Sequence, residues 1–175
     1  MRVFGGLVWP IDGNPAFFCI VTEKHGDATA TMETPGIKYI VSNEQSIDRL
    51  EEFYKNLDKL PHVSAIYIDN DKKYHTYMRD INRWRREKSL QMQLRSTGFS
   101  SFEAGMLKIK DYIAENLLEF DDESLVRRQL KTISKASMKN EKDYYAVGAL
   151  CNALTGFKKI VSSPTTNVPK IKGWY

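Results

Sequence analysis

The segment "VSAIYIDND", residues 63–71, decides how the rest of the chain is interpreted. It is a short, nearly continuous apolar run that ends in acidic residues, and such a run is typical of a parallel strand buried on both faces. A helical pattern precedes it and another follows it, so the segment lies in a strand–helix–strand context. The sequence therefore predicts an α/β fold, with Asp69 at a strand end, where sites of such sheets form.

The chain before this strand predicts an antiparallel meander. Residues 3–11 and 16–24 are rich in Val, Phe, Ile and Leu, and Asp12-Gly13-Asn14-Pro15 between them favours a turn. Residues 28–34 alternate with period two, and residues 37–41 either continue the sheet or lead out of it. Ser46 is then expected to cap a helix that ends at Pro61.

The chain after this strand is predicted to be mainly helical. Apolar residues recur at helical spacing over 72–88, 102–118, 124–134 and 141–155, while residues 90–95 alternate as a strand. Asn140 is the expected cap of the last helix. The predicted order is three strands, helix, strand, helix, strand and then helices. This order predicts a mixed sheet with helices on both faces, in which an antiparallel three-strand meander is followed by strand–helix units. This order matches the ribonuclease H-like arrangement.

Length and composition indicate one folded domain. The chain has 175 residues, of which 42% are hydrophobic, and its formal charge of +4 permits a nucleic-acid partner without requiring one. We assign residues 1–157 to the domain and residues 158–175 to a basic tail containing Ser, Thr and Pro. No run approaches the roughly 20 apolar residues of a membrane span and no signal peptide is present, so we expect a cytoplasmic protein without a membrane partner. Cys19 and Cys151 are expected to be buried thiols in a reducing compartment.

Three aspartates occupy positions where a sheet of this kind places its chemistry. Asp12 follows the first strand, Asp69 follows the buried strand, and Asp143 is expected in the first turn of the last helix. Asp143 shares a helix face with the apolar residues at 147, 150 and 154, so we expect it to point towards the sheet. Converging carboxylates repel one another unless cations neutralise them, and Mg²⁺ or Mn²⁺ prefer such oxygen ligands. The hypothesis is a site for two ions that hydrolyses phosphodiesters, with Asp12, Asp69 and Asp143 as the metal ligands and catalytic residues.

Each of these acids also has a purely structural interpretation. Asp12 fits a turn, Asp69 fits a helix cap, and Asp143 fits an acid that the helix dipole favours. Asp71 and Glu141 lie close to the candidates in the sequence and remain open as further ligands.

Basic residues form two runs, over 79–88 and 127–142. The second run leads directly to Asp143, which would bring its cations next to the proposed metal site. A charge run is usually a solvated helix face, but here it also favours contacts to the phosphates of a nucleic-acid backbone. The residues expected to make these contacts are Arg127, Arg128, Lys131, Lys135 and Lys139.

Several segments together resemble a known family. They are "PIDGNPAFFCIV", "AIYIDND", "STGFSSFEAGMLKIKDYI", "LVRRQLKTI" and "NEKDYYAVGALCNAL", and they are similar to the nuclease domain of the phage terminase large subunit, the DNA-packaging motor. In that family an Asp on the first strand, an acid ending a later strand and an Asp starting the closing helix bind the metals, which corresponds to Asp12, Asp69 and Asp143 here. The family's closing motif usually reads like Asp-Asp-His-x-x-Asp-Ala-Leu. In "DYYAVGAL", residues Tyr144, Tyr145 and Gly148 stand where further polar ligands often occur.

The resemblance implies metal-dependent cleavage of double-stranded DNA, with little sequence preference, during genome packaging in a host cytoplasm. It implies the terminase ATPase domain, the portal and the small terminase subunit as partners. The sequence contains no phosphate-binding loop of the ATPase type, so under this resemblance we expect an excised domain or a stand-alone relative.

Two alternatives remain open. Another ribonuclease H-like nuclease, such as a junction resolvase or a transposase-like domain, would use the same acids. A non-catalytic DNA-binding or assembly module of this fold is favoured by the departures at Tyr144 and Gly148.

Overall fold

Six strands form one mixed sheet in the computed structural model, which describes residues 1–10, 13–26, 36–60, 63–69, 72–88, 93–133 and 143–157. The strands are β1 (Val3–Val8), β2 (Ala16–His25), β3 (Ile37–Ile47), β4 (Ala65–Ile68), β5 (Gln93–Ser96) and β6 (Leu118–Phe120). Their order across the sheet is β5-β4-β1-β2-β3-β6. β1, β2 and β3 pair antiparallel, whereas β4 pairs parallel with β1 and β5, and β6 pairs parallel with β3. The predicted α/β arrangement, a mixed sheet in which an antiparallel three-strand meander is followed by strand–helix units, is confirmed.

Helices cover both faces of this sheet, as the sequence predicts. They are α1 (Leu50–Lys55), α2 (Lys72–Glu87), α3 (Phe102–Ala114), α4 (Leu125–Thr132) and α5 (Tyr145–Leu154), with short 3-10 helices at Leu57–Lys59 and Thr155–Phe157. Successive residues of β1 point to opposite faces, as the pleat requires. Leu7 belongs to a core with α1 and α2, whereas Val8 belongs to a core with α3, α4 and α5. In the described ranges, no helix combines the length and the apolar character needed to cross a bilayer.

α5 lies directly on β1, backbone against backbone. A Cβ atom at Gly6 would stand 1.8 Å from the carbonyl oxygen of Ala149 and 2.6 Å from the nitrogen of Ala153, so only glycine fits there. Gly148 faces Val8 at the end of β1, and Gly156 faces Phe4 near its beginning. The helix therefore runs antiparallel to β1, and its N-terminus lies beyond the carboxyl end of that strand.

The two cysteines belong to the core on the α5 side of the sheet. Cys19 on β2 and Cys151 on α5 are buried and neither forms a disulfide, which confirms the expectation for both thiols. Burial raises the pKa of the Cys19 thiol well above its usual value.

A buried carboxylate stabilises the start of the chain on β2. Glu23 is 3% exposed and accepts hydrogen bonds from the Arg2 guanidinium, while Nε2 of His25 lies 2.8 Å from its Oε1. Burial raises the pKa of Glu23, but the hydrogen bond and charge of Arg2, with a smaller contribution from His25, outweigh it. The pKa of Glu23 is therefore lowered from its usual value.

Several element boundaries differ from those predicted from the sequence, among them the end of β3, the start of α1 and the end of α3. Ser46 does not cap a helix: it lies in β3, because β3 continues to pair with β2 as far as the contact of Ile47 with Ala16. α1 begins only at Leu50, and its N-cap Arg49 makes no side-chain cap hydrogen bond. α3 ends at Ala114 rather than at residue 118, because Asn116 adopts a positive φ of 54° and turns the chain into β6. The predicted strand over 28–34, the Asn140 cap and the tail over 158–175 lie outside the described residues.

Candidate active site

Asp69 directly follows β4, at the end of the sheet where the carboxyl ends of β1 and β4 lie side by side. The two strands are parallel and Leu7 lies beside Ile68, so their carboxyl ends meet at this end. The half-buried Asp69 carboxylate accepts a hydrogen bond from the backbone N–H of Trp9 to Oδ2 at 3.2 Å and one from the Asn152 side chain to Oδ1 at 2.8 Å. The carboxylate is therefore held in a defined orientation at the strand ends.

Asn152 on α5 is a site residue that the sequence analysis missed. It is 4% exposed, and its side-chain nitrogen donates to the carbonyl oxygen of Leu7 at 2.9 Å as well as to Asp69. One amide group thus connects β1, the end of β4 and α5. The available signal was a single polar residue inside the apolar run "AVGALCNAL", since a buried amide must find hydrogen-bond partners.

Asp143 lies in the turn before α5 and is exposed to solvent, so the expected place in the first turn and the expected inward orientation are wrong. Every residue from Ala146 to Leu154 is buried, and a helix that is buried all round gives no direction to an acid before it. Seven residues separate the start of α5 from Asn152, which at 1.5 Å per residue is about 10 Å along the helix axis. Asp143 therefore lies before the N-terminus of α5, on the side of the sheet where β1 and β4 end, and its place in the metal-ligand set stays a prediction.

The rest of the predicted metal-ligand set lies outside the described residues. Asp12 follows the last residue of β1 by four positions, and neither it nor Asp71 nor Glu141 is among them. Within the described ranges, no group of three or more His, Cys, Asp or Glu residues could hold a metal ion. The full set of Asp12, Asp69 and Asp143 stays a prediction, with Asp69 as the member whose carboxylate is placed at the strand ends.

The start of α5 meets the end of β1 through apolar contacts. A Cβ atom at Gly148 would lie 3.1 Å from Cγ1 of Val8, and the ring of Tyr145 packs edge-on against Phe17 with centroids 5.6 Å apart. Tyr145 and Gly148 are two of the positions at which the terminase closing motif often has further polar ligands. In this chain both contribute to packing instead.

α4 is fixed next to the start of α5 by polar contacts. The side-chain oxygen of Gln129 accepts hydrogen bonds from the backbone N–H groups of Ala146 at 3.0 Å and Val147 at 3.2 Å, and so caps α5. The hydroxyl of Tyr144 donates to the carbonyl oxygen of Thr132 at 3.2 Å. Because the two helices are joined in this way, side chains on the outer face of α4 lie near the N-terminus of α5.

Three of the predicted DNA contacts lie on α4 and are exposed: Arg127, Arg128 and Lys131. Ser124 caps the helix by accepting a hydrogen bond from the backbone N–H of Arg127 at 3.1 Å. Lys135 and Lys139 lie outside the described residues. The other basic run lies on α2, where Arg85 is buried while Arg79, Arg83 and Arg86 are exposed. Because α2 and α4 pack on opposite faces of the sheet, the two exposed basic groups point to different sides of the molecule.

A solved structure is similar to this chain at low sequence identity. No family model and no curated protein matches the chain. Among solved structures, it is similar to the crystal structure of the yeast mitochondrial Holliday junction resolvase, with 12% sequence identity, a TM-score of 0.43, and coverage of 88% of this chain and 82% of that one.

Proposed function

We propose that this chain is a metal-dependent endonuclease of the ribonuclease H-like class that cleaves double-stranded DNA with little sequence preference, as the terminase nuclease it resembles does. The observation that carries the proposal is the Asp69 carboxylate, held by hydrogen bonds from Trp9 and Asn152 where β1 and β4 end. An ordered carboxylate at the carboxyl ends of parallel strands is a suitable ligand for a hard divalent cation.

Asp69 fits such a cation by the chemistry of its oxygens. An ionised carboxylate has about four acceptor sites, so hydrogen bonds from the chain and a bond to Mg²⁺ or Mn²⁺ are compatible. In the proposal Asp12 and Asp143 complete the set. Two divalent ions held by these three carboxylates would supply the activation of a water and the stabilisation of the leaving oxygen of the phosphodiester.

The chain's own contribution to substrate binding is the basic surface of α4. Arg127, Arg128 and Lys131 are exposed beside the start of α5, where they would contact backbone phosphates without reading base sequence. The terminase ATPase domain, the portal and the small terminase subunit are the partners that the same proposal implies.

Plasmid digestion in Mn²⁺, in Mg²⁺ and in chelator tests the activity. We expect cutting with either metal and none with chelator. Asp69→Ala should lower the rate by more than the 10- to 100-fold that is typical for groups that only support a ligand. The matched control is Asp80→Ala, which removes an exposed acid from α2 on the other face of the sheet. Undiminished cutting by Asp69→Ala would remove Asp69 from the site.

Substrate choice separates the terminase-like activity from other nucleases that would use the same acids. Linear duplex and four-way junction DNA are offered in equal amounts with Mn²⁺. Cutting of the linear duplex supports the proposal, whereas selective cutting of the junction would assign the chain to the resolvase alternative.

A non-catalytic DNA-binding or assembly module is the second candidate, and the apolar contact of Val8 with Gly148 favours it. This contact fills the meeting point of β1 and α5 with packing rather than with carboxylates. Wild-type protein that binds duplex DNA but cuts neither duplex nor junction in Mn²⁺ or Mg²⁺ would support the module and contradict the nuclease.

A further inference from the structure

We infer that Asn152 is a positioning residue for Asp69: its buried amide fixes the orientation in which the carboxylate is presented at the strand ends. This inference rests on the proposed role of Asp69 as a metal ligand. Asn152 itself is assigned no contact with metal or substrate.

The geometry ties the amide to two fixed points. The side-chain nitrogen of Asn152 donates to the Leu7 carbonyl at 2.9 Å and to Oδ1 of Asp69 at 2.8 Å, which uses both of its hydrogens. The Leu7 carbonyl belongs to the central strand of the sheet and cannot move independently of it. The second hydrogen is therefore aimed at Asp69 by the backbone of β1.

The packing of α5 keeps this donor in place. Asn152 is 4% exposed and lies between Ala149 and Ala153, whose backbone atoms rest on Gly6. Because the helix backbone is in direct contact with the strand, the Asn152 side chain starts from a position fixed relative to both Leu7 and Asp69. Oδ2 of the carboxylate is set separately by the Trp9 N–H, so each oxygen has its own donor. Groups that orient a ligand in this way typically change metal affinity by 10- to 100-fold when they are removed.

An amide is also the side chain that the charge balance requires at this position. A carboxylate there would face Asp69 and the Leu7 carbonyl with acceptors in place of the two N–H donors, and the pair of carboxyl groups would be stabilised by a shared proton or by a cation between them. Asn152→Asp is consequently an informative substitution. In that variant, folding should depend on a divalent ion more strongly than it does in the wild type.

The experiment measures Mn²⁺ binding by the full chain, by titration calorimetry and by the loss of the free-ion electron paramagnetic resonance signal, together with thermal unfolding with and without Mn²⁺. For Asn152→Ser we expect an Mn²⁺ Kd that is about 10- to 100-fold higher in protein that is folded by circular dichroism. For Asn152→Asp we expect a lower Tm in chelator and a larger rise in Tm with Mn²⁺ than the wild type shows. Asp80→Ala is the control and should bind as the wild type does.

The outcomes separate this inference from the proposed function. If Asp69→Ala binds Mn²⁺ as the wild type does, or if the wild type binds none, the metal role of Asp69 is wrong and the positioning role is wrong with it. If Asp69→Ala abolishes binding while Asn152→Ser keeps wild-type affinity, only the positioning role is overturned, because a merely structural amide would change Tm without changing Kd. Should Asn152→Ser fail to fold, the Mn²⁺ response of Asn152→Asp decides, and a response no larger than that of the wild type overturns the inference.

Discussion

Replacing Gly6 by Ala tests whether the direct backbone contact between β1 and α5 fixes the position of Asn152 beside Asp69. The added methyl group would stand 1.8 Å from the Ala149 carbonyl oxygen and 2.6 Å from the Ala153 nitrogen. An ordinary carbon–oxygen contact is about 3.3 Å or longer, so α5 would have to retreat from β1 by about 1.5 Å. Both obstructing atoms are helix backbone, which cannot rotate away as a flexible side chain would.

The expected cost follows from what this retreat breaks. Overpacking a well-packed core typically costs 1–3 kcal/mol, and a gap of even 0.5–1 Å already removes a quarter to a half of the dispersion energy across it. The hydrogen bonds from Asn152 to Leu7 and Asp69, at 2.9 and 2.8 Å, would lengthen past the hydrogen-bonding range, at about 1 kcal/mol each. We expect Gly6→Ala to lower the free energy of unfolding by about 3–5 kcal/mol, a large part of the roughly 5–15 kcal/mol typical of a domain.

Urea unfolding followed by circular dichroism measures the loss. The control is Gly13→Ala, which adds the same methyl group where no atom of the described residues lies within 4 Å, at a φ of 86°. It should cost only about 1 kcal/mol, the penalty for a left-handed backbone conformation in a residue with a Cβ atom. A loss for Gly6→Ala of 1 kcal/mol or less would refute the close contact and with it the fixed position of Asn152.

Two further predictions concern charge. Replacing Arg127, Arg128 and Lys131 together by Ala should reduce the slope of log K against log salt concentration for duplex binding by up to about 3. Replacing Arg79, Arg83 and Arg86 together by Ala is the control and should leave that slope unchanged. The reverse result would place the DNA on the α2 side of the sheet. Glu23 has a lowered pKa in the folded state, so its contribution to stability is complete above its unfolded pKa of about 4.3 and is lost as the pH falls through the lower folded value. Thermal unfolding between pH 6 and pH 3 should therefore show a smaller fall in Tm for Glu23→Gln than for the wild type, and equal falls would contradict the assignment.

The order of elements was predictable because the hydrophobic periodicity within each segment indicates whether that segment is a strand or a helix. The continuous apolar run before Asp69 indicates a buried parallel strand without reference to any other part of the chain. Ser46 shows where this fails: it is a good helix cap by local chemistry, yet pairing with β2 extends β3 past it. β6 was missed for the same reason, since its three residues become a strand only by pairing with β3.

The candidate site was predictable only as far as strand ends determine it. Asp69 lies where a buried strand must end, and the sequence identifies that end directly. The side chain that meets it from α5 depends on the height and rotation of the helix on the sheet, which Gly6 and Gly148 set through contacts across the whole chain. Helical periodicity led to the prediction that Asp143 faces the sheet, because the residues at 147, 150 and 154 on the same helix face are apolar. In a helix that is apolar on all sides, the polar exception at Asn152 was the better guide.

The bond between the Leu7 carbonyl and Asn152 joins positions that are 145 residues apart. Of the described elements, β1 is synthesised before all others and α5 is among the last. Forming this contact therefore has the entropic cost of closing a loop that contains nearly the whole domain. Until α5 has been made, β1 lacks the helix that lies directly on it, and Asp69 has no amide to orient it. The carboxyl end of β4 with Asp69 should therefore acquire its final geometry only after translation has passed residue 152, so this site forms late in folding.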